Sequence, residues 1–141
     1  MLFIDQPILK KMIAHVEPHA DECCGFLFGI EENDNRIITK SIKTLNYSMD
    51  DRRVNFAISA GDYLNAEFIS QKENLIFLGV YHSHPNHPAI PSEFDRVAAQ
   101  PYFSYLIFSV VDKKVAAVRS WQLDSHSQFE EEKIETIQIN H

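Results

Sequence analysis

Apolar residues recur at helical spacing in two parts of the chain. After Pro7, which suits the first turn of a helix, apolar positions three and four apart predict an amphipathic helix over residues 7 to about 17. The same spacing predicts a second helix from residue 60 to near residue 72, and residues 92–100 are typical of a short third helix. The apolar positions behind the two longer predictions are Leu9, Met12, Ile13 and Val16, then Ala60, Tyr63, Leu64 and Phe68.

Shorter apolar or alternating segments between these helices indicate β-strands. Two pairs of segments flank polar, turn-forming clusters and therefore predict two hairpins. The most continuous apolar run leads directly into His82, which is typical of a strand buried in the middle of a sheet. The acidic tail from Gln128 is only weakly periodic. The predicted strands are residues 24–30 and 36–45, residues 54–58, residues 75–81, and residues 105–111 and 115–121.

This order of elements indicates a mixed α/β fold in which helices flank one curved β-sheet. The 141 residues, with 45% hydrophobic content and 11% aromatic residues, are enough to build one hydrophobic core. Residues 1–141 contain no internal repeat, low-complexity linker or composition break. We therefore predict a single domain of this α/β class.

Charge and apolar runs limit the partners and the compartment of this protein. The formal net charge of -7 gives no basic surface for a phosphate backbone, so we expect no nucleic-acid partner. No apolar run approaches the roughly 20 residues of a membrane-spanning helix, and the first residues lack a signal-peptide pattern. We expect a cytoplasmic protein outside the membrane. Cys23 and Cys24 are adjacent, which disfavours a disulfide between them and lacks the spacing of a zinc knuckle.

The segment that follows the central strand has the pattern of a metal site. Side chains two apart on a strand leave the same face, so His82 and His84 can converge on one ion. Asp95 can add a carboxylate oxygen, and the intervening prolines stiffen the loop that leads to it. Two imidazoles and one carboxylate leave a fourth tetrahedral position for water, as in catalytic zinc sites.

Each part of this pattern taken alone also has an ordinary interpretation. A His-x-His pair on a strand is usually solvated, and Ser92 and Asp95 would usually be an N-cap and a first-turn acid of a helix. Cys24 and His87 could approach the same cleft. A small buried residue and a solvated loop histidine are the simpler interpretations, so we leave both out of the predicted site.

The combined motif resembles the signature of the JAMM metallopeptidases, also called the MPN-plus family. His82-Ser83-His84-Pro85, seven residues and then Ser92-x-x-Asp95 match its His-x-His and Ser-x-x-Asp elements, and Glu22 stands where the family has an upstream glutamate. The resemblance implies the JAB/MPN fold, which is cytidine deaminase-like, and one Zn²⁺ per chain held by His82, His84 and Asp95. It also implies Glu22 as general base and Ser92 as hydrogen-bond donor to the developing oxyanion.

The resemblance further implies a substrate class. Family members hydrolyse a peptide or isopeptide bond after the C-terminal glycine of a ubiquitin-like protein, and this compact chain is similar to stand-alone prokaryotic members that act on sulfur carriers of the ThiS/MoaD type. The expected partner therefore has a Gly-Gly tail. One alternative is a non-catalytic MPN scaffold or interaction module. Another is the RadC-like branch, whose His-Asn-His-Pro-Ser-Gly differs from the sequence here. The oligomeric state stays open, a homodimer included.

Overall fold

A computed structural model describes residues 1–49, 51–53 and 55–139 of the chain. Within these residues it contains one large β-sheet and three helices. In chain order the elements are β1 Leu2–Asp5, α1 Gln6–Val16, β2 Cys24–Glu32, β3 Asn35–Thr44, α2 Ala60–Glu73, β4 Ile76–Pro85, α3 Glu93–Ala98, β5 Ser104–Val111, β6 Lys114–Leu123, β7 Phe129–Glu132 and β8 Ile134–Ile137.

The sheet is mixed and strongly curved, as predicted. Its strand order is β7-β6-β5-β4-β2-β3-β1-β8, with β4 antiparallel to β2 and parallel to β5. β7 and β8 stand at opposite ends of this order although only Lys133 separates them in the chain. The backbone N–H of Leu2 donates to the carbonyl of Lys133 at 2.9 Å. The sheet therefore curls until one chain segment borders both of its ends.

The two faces of the sheet bury different side chains. One face packs against α1 through Met12 and Val16, with the buried side chains of Leu27, Leu106 and Phe108 around them. The other face packs against α2, whose Ala66 lies among aromatic side chains of the strands. Because β4 is covered on both faces, the side chains near its end can be shielded from water. The site described below lies on the α2 side of that end.

Most of the predicted elements form, for local reasons that the sequence already contains. Pro7 occupies the first turn of α1, and the Ser59 hydroxyl caps α2 by accepting the Asp62 N–H at 3.1 Å. Asn74 ends α2 in the left-handed conformation, with φ 55° and ψ 44°. Both predicted hairpins and the central position of β4 are confirmed, and β4 extends beyond the predicted residues 75–81 to Pro85.

Four segments differ from the prediction. The predicted strand at residues 54–58 is wrong for residues 55–58, which have no regular structure, while Val54 lies outside the described residues. β1, β7 and β8 were not predicted, because each has four residues, too few for a clear alternation. Their pairing partners are distant in sequence. None of the helices in the described part of the chain is long and apolar enough to cross a membrane.

Candidate metal centre

The end of β4 brings His82 and His84 together with Asp95 of α3. The Nε2 atoms of the two histidines are 3.1 Å apart. The Oδ2 atom of Asp95 lies 3.3 Å from the Nε2 of His82 and 3.2 Å from the Nε2 of His84. All three side chains are buried. The three atoms thus form a nearly equilateral triangle at the carboxyl end of the central strand.

A capping box at the start of α3 fixes the carboxylate of Asp95. The Ser92 hydroxyl accepts the Asp95 N–H at 3.0 Å, and the Ser92 N–H donates to the Asp95 Oδ2 at 2.9 Å. The ordinary interpretation of this pair as a helix cap is therefore correct. It coexists with the site, because the capped Oδ2 is the oxygen that faces the two histidines.

The loop between β4 and α3 is held by three hydrogen bonds to successive backbone carbonyls. One of them comes from the Nδ1 of His84, so the Nδ1 carries the proton and the Nε2 keeps its lone pair for the site. The other two come from side chains on β5 and β6, which tie the loop to the neighbouring strands. The bonds are His84 Nδ1 to Pro88 O at 2.8 Å, Ser109 Oγ to His87 O at 2.6 Å, and Trp121 Nε1 to Ala89 O at 3.0 Å.

Glu22 lies two residues before the start of β2, and its side chain approaches the triangle of His82, His84 and Asp95. Cys23 and Ser83 bond each other twice, through Cys23 N–H to Ser83 Oγ at 2.8 Å and Ser83 N–H to Cys23 O at 3.0 Å. This extends the antiparallel register that pairs Cys24 with His82, and it sets Glu22 opposite His84. The side chain of Glu22 is buried, and its ligand oxygen and those of the triangle all lie within 4.8 Å of one another.

Asn46 connects Glu22 to the loop between β3 and α2. Its amide nitrogen donates to the carbonyls of Glu22 and Asn55, each at 2.9 Å. Its amide oxygen accepts the N–H groups of Ser48 at 3.0 Å and Ala57 at 3.1 Å. One side chain thus holds four backbone groups and positions Glu22. The sequence alone does not indicate this role for Asn46, because a side chain that bonds four backbone groups has no local pattern.

Burial and charge shift the pKa values of the cluster in opposite directions. Burial raises the pKa of Glu22 to about 8, and Asp95 adds to this while His84 opposes it. Burial would also raise the pKa of Asp95, but the two histidines and the Ser92 N–H outweigh it and hold that pKa well below its usual range. Burial lowers the pKa of His82, whereas hydrogen bonds to Asp95 and Pro88 outweigh burial and raise that of His84.

These donors fit a small divalent metal ion. A tetrahedral ion of the size of zinc, with bonds of about 2.0–2.2 Å, holds its ligand atoms about 3.3 Å or slightly more apart. The three donor distances of 3.1, 3.3 and 3.2 Å are close to this spacing. Among the described residues, the buried Oε1 of Glu22 has no hydrogen-bond partner. Two carboxylates facing two imidazoles also favour a cation electrostatically.

Two cavities adjoin the cluster on different sides. A largely apolar cavity of about 290 Å³ reaches His82 and Asp95, and an open cleft of about 260 Å³ reaches Glu22, His84 and Ser92. The ring of Phe56 stacks on that of His82 with centroids 4.3 Å apart. The remaining aromatic side chains of the apolar cavity are Tyr63, Phe94, Tyr105 and Phe129.

His87 and Cys24, which the predicted site did not include, lie in different surroundings. His87 is exposed and borders the open cleft beside Glu22 and His84, so it lies in the loop and also faces the site. Cys24 is fully buried, and its thiol points to the carbonyls of Thr44 at 3.9 Å and Leu45 at 3.7 Å. Its interpretation as a small buried residue therefore holds.

Comparisons with known proteins agree with this geometry. A family model described as prokaryotic homologues of the JAB domain matches residues 5–124. A relative named desampylase, from Pyrococcus furiosus, is 29% identical over 133 residues, which are 94% of this chain and 89% of that protein.

Solved structures of two bacterial proteins have the same architecture. The solution structure of a protein from Desulfitobacterium hafniense superposes with a TM-score of 0.86 at 27% identity, covering 99% of this chain and 94% of that one. The solution structure of a protein from Salinibacter ruber gives a TM-score of 0.73 at 33% identity, covering 95% and 90% of the two chains.

The fold and the candidate site together define a class of α/β proteins in which two histidines and two carboxylates meet at the end of the central strand. The family match, which covers most of the chain, makes the assignment specific. The chain belongs to the prokaryotic homologues of the JAB domain. This agrees with the resemblance drawn from the motif.

Proposed function

We propose that this protein is a zinc-dependent peptidase that hydrolyses a peptide or isopeptide bond after the C-terminal glycine of a ubiquitin-like or sulfur-carrier protein. The observation that carries the proposal is the buried triangle of His82, His84 and Asp95 with the Glu22 carboxylate beside it. Three protein ligands with a fourth position left for water are typical of catalytic zinc sites, whereas structural zinc sites have four protein ligands.

The chain's own residues supply the proton transfer and the orientation. Bound zinc would polarise the scissile carbonyl and bring the pKa of water toward neutrality. Glu22 then accepts a proton from the attacking water and delivers it to the leaving nitrogen. Burial raises the pKa of Glu22 to about 8 in the metal-free protein, and a bound cation would lower it toward the range in which the carboxylate takes and returns a proton near neutral pH.

Ser92 can serve the reaction while it caps α3. Its hydroxyl oxygen accepts the Asp95 N–H, and this leaves the hydroxyl hydrogen free to donate. Ser92 borders the same cleft as Glu22 and His84, so a carbonyl held there would receive that hydrogen bond. The donation stabilises the negative charge that develops on the carbonyl oxygen.

The loop beside the apolar cavity supports a narrow, extended substrate tail, and one relative supports isopeptide cleavage. Residues 56–58 border the apolar cavity without belonging to any strand. The backbone groups of Ala57 are bonded to Asn46 and Tyr47, so a tail can pair with those of Phe56 and Ile58. Glycine alone lets a backbone lie flat through a tight cleft. The name of the archaeal relative, desampylase, describes an enzyme that removes an attached group, which agrees with isopeptide cleavage. We place this activity in the cytoplasm, where ubiquitin-like proteins and sulfur carriers occur.

The test combines metal analysis with two matched substrates. Protein purified without chelator should contain about one zinc per chain, measured by elemental analysis. It should cleave a carrier fusion whose tail ends in Gly-Gly before the scissile bond, read by mass spectrometry. A Gly-Val tail should be cleaved far more slowly, because a Cβ would collide where the tail passes the metal.

Each result separates one part of the proposal from the rest. Absence of zinc, with no uptake when zinc is added, would contradict both the site and the activity. Equal cleavage of the two tails would remove the glycine requirement and leave a peptidase of different specificity. Zinc without cleavage of any tail would favour the scaffold alternative.

A further inference from the structure

A second group of metal-binding side chains lies at the C-terminal end of α1. His15 stands in the last turn of that helix, His19 follows its end, and Cys23 precedes β2. One potential ligand atom of each residue lies within 4.8 Å of the other two. We propose that His15, His19 and Cys23 form a second metal site, which binds Zn²⁺ or another thiophilic divalent cation through one thiolate and two imidazoles.

Tyr81 orients the ring of His15. Its hydroxyl lies 2.7 Å from the Nδ1 of His15, and the two rings meet edge to face with centroids 5.8 Å apart. When Nδ1–H donates to the Tyr81 oxygen, Nε2 keeps its lone pair for a metal. A side chain at Gly25 would collide with the ring of Tyr81, so the glycine leaves room for it.

The side chains of His15, His19 and Cys23 differ in their exposure to solvent. Cys23 is buried, His15 is half-buried and His19 is exposed, so the site opens to solvent on one side. Burial lowers the pKa of His15 to about 4, and the imidazole is therefore unprotonated near neutral pH. Burial raises the pKa of the Cys23 thiol to about 11, which a hydrogen bond with the Ser83 side chain opposes. The thiol also lies 3.8 Å from the carbonyl of Asp21. When the sulfur–metal bond forms, the thiol proton passes to solvent.

The cavity around these residues tolerates a cation. It has a volume of about 490 Å³, and its charged lining residues are two acids and two bases. Asp21 offers a further carboxylate at the rim, so a fourth ligand can be this group or water. The charged residues are Asp21, Glu22, Lys43 and Arg52.

This second group is separate from the His82, His84 and Asp95 triangle. Glu22 and Cys23 are neighbours whose side chains leave opposite faces of the chain, so Glu22 faces the triangle and Cys23 packs with the α1 core. The donor set also differs, because only the second group contains sulfur. If these residues bind no metal, the role of His15 is its hydrogen bond with Tyr81, and Cys23 is a small buried residue of the core.

Cobalt binding distinguishes a second metal site from a purely structural role of these residues. Chelator-treated, reduced protein is titrated with Co²⁺ alone while the near-ultraviolet absorption is recorded. Wild type should bind two equivalents, one of which produces a thiolate-to-cobalt charge-transfer band. Cys23→Ser should lose this band and one equivalent. Cys24→Ser is the matched control and should keep both, because Cys24 faces the carbonyls of Thr44 and Leu45.

Further variants locate the ligands and their support. His84→Ala should lose the other equivalent and keep the band, which makes the outcome independent of the peptidase proposal. His19→Ala, an exposed position, should weaken the band-forming equivalent at least about 10-fold, and Tyr81→Phe should weaken it about 10–100-fold. Wild type without the band, or a band that persists in Cys23→Ser, would overturn the second site.

Discussion

At the scale of single residues, Glu22 differs from the other acidic residues only through its surroundings. Glu31, Glu32, Glu67 and Glu93 are exposed, whereas Glu22 is buried opposite His84. A buried carboxylate with an unpartnered oxygen beside three potential metal ligands is costly unless a cation or a hydrogen-bond donor such as water occupies the site. This cost is the physical reason to assign the proton transfer to Glu22.

Glu22→Gln should retain zinc and lose nearly all turnover. The amide keeps the shape of the carboxylate but cannot take a proton from water, so we expect kcat to fall about 10²–10⁴-fold. Zinc content and kcat on the Gly-Gly fusion are measured together. Glu93→Gln is the control, because its side chain is exposed on α3 and bonds Arg96.

A comparison with His84→Ala makes this prediction sharper. His84→Ala should lose the metal, whereas Glu22→Gln should keep it, so the two variants separate binding from proton transfer. Wild-type turnover by Glu22→Gln would assign the base to another carboxylate.

At the scale of elements, the start of α3 performs two tasks with one residue. The Ser92 hydroxyl caps the helix and thereby fixes Asp95, and it also faces the cleft. The end of β4 depends in the same way on its loop, whose carbonyls are held by His84, Ser109 and Trp121. The geometry of the site is therefore a property of the element boundaries.

Ser92→Ala should reduce both stability and turnover. We expect the free energy of unfolding to fall by about 1 kcal/mol from the lost cap, and kcat to fall about 10²–10³-fold from the lost donor. Ser92→Thr keeps the hydroxyl and should recover much of both. Urea denaturation and steady-state kinetics provide the two measurements.

Ser59→Ala is the matched control for the cap. Ser59 caps α2 by accepting the Asp62 N–H, and its loss should reduce stability by a similar amount while leaving kcat close to wild type. If Ser92→Ala lost stability but no turnover, Ser92 would be a cap alone.

At the scale of the whole molecule, the site collects four buried ionisable groups from three parts of the chain. Without a metal, this arrangement couples the stability of the fold to pH. Glu22 titrates near pH 8 in the folded state, against an ordinary value of 4.5. Between these values the folded state binds more protons than the unfolded state, so Glu22 makes stability fall as pH rises.

Chelated Glu22→Gln should therefore gain stability over chelated wild type as pH rises. The useful window is pH 6.5 to 8, because the lowered pKa values of His15 and His82 no longer contribute above their ordinary value of 6.5. His84, whose pKa is raised, also makes the stability of both proteins fall as pH rises, and less so in the variant because Glu22 contributes to that raised pKa. The difference in free energy of unfolding should grow by up to about 1.4 kcal/mol per pH unit.

Denaturation of both proteins at the two ends of this window measures the effect. Adding zinc should reduce the difference, because a cation beside Glu22 favours its charged form. A difference that does not change with pH would mean that Glu22 keeps an ordinary pKa in the fold.

The sequence by itself determined the features that local physics controls. Apolar spacing located the two longer helices, both hairpins and the central strand, because each period reflects one buried face. The His-x-His pair and the Ser-x-x-Asp cap could also be recognised from the sequence, because their geometry depends only on two residues of strand and one turn of helix. The motif also carried the resemblance that led to Glu22.

Only the tertiary structure decided the features that depend on residues distant in the chain. The short strands β1, β7 and β8 form because curling of the sheet supplies their partners, and residues 55–58 form no strand although their sequence suits one. The burial of Glu22, the four bonds of Asn46 and the meeting of His15 with Cys23 arise in the same way. Long-range pairing sets these contacts, and no local pattern of hydrophobic and polar residues encodes it.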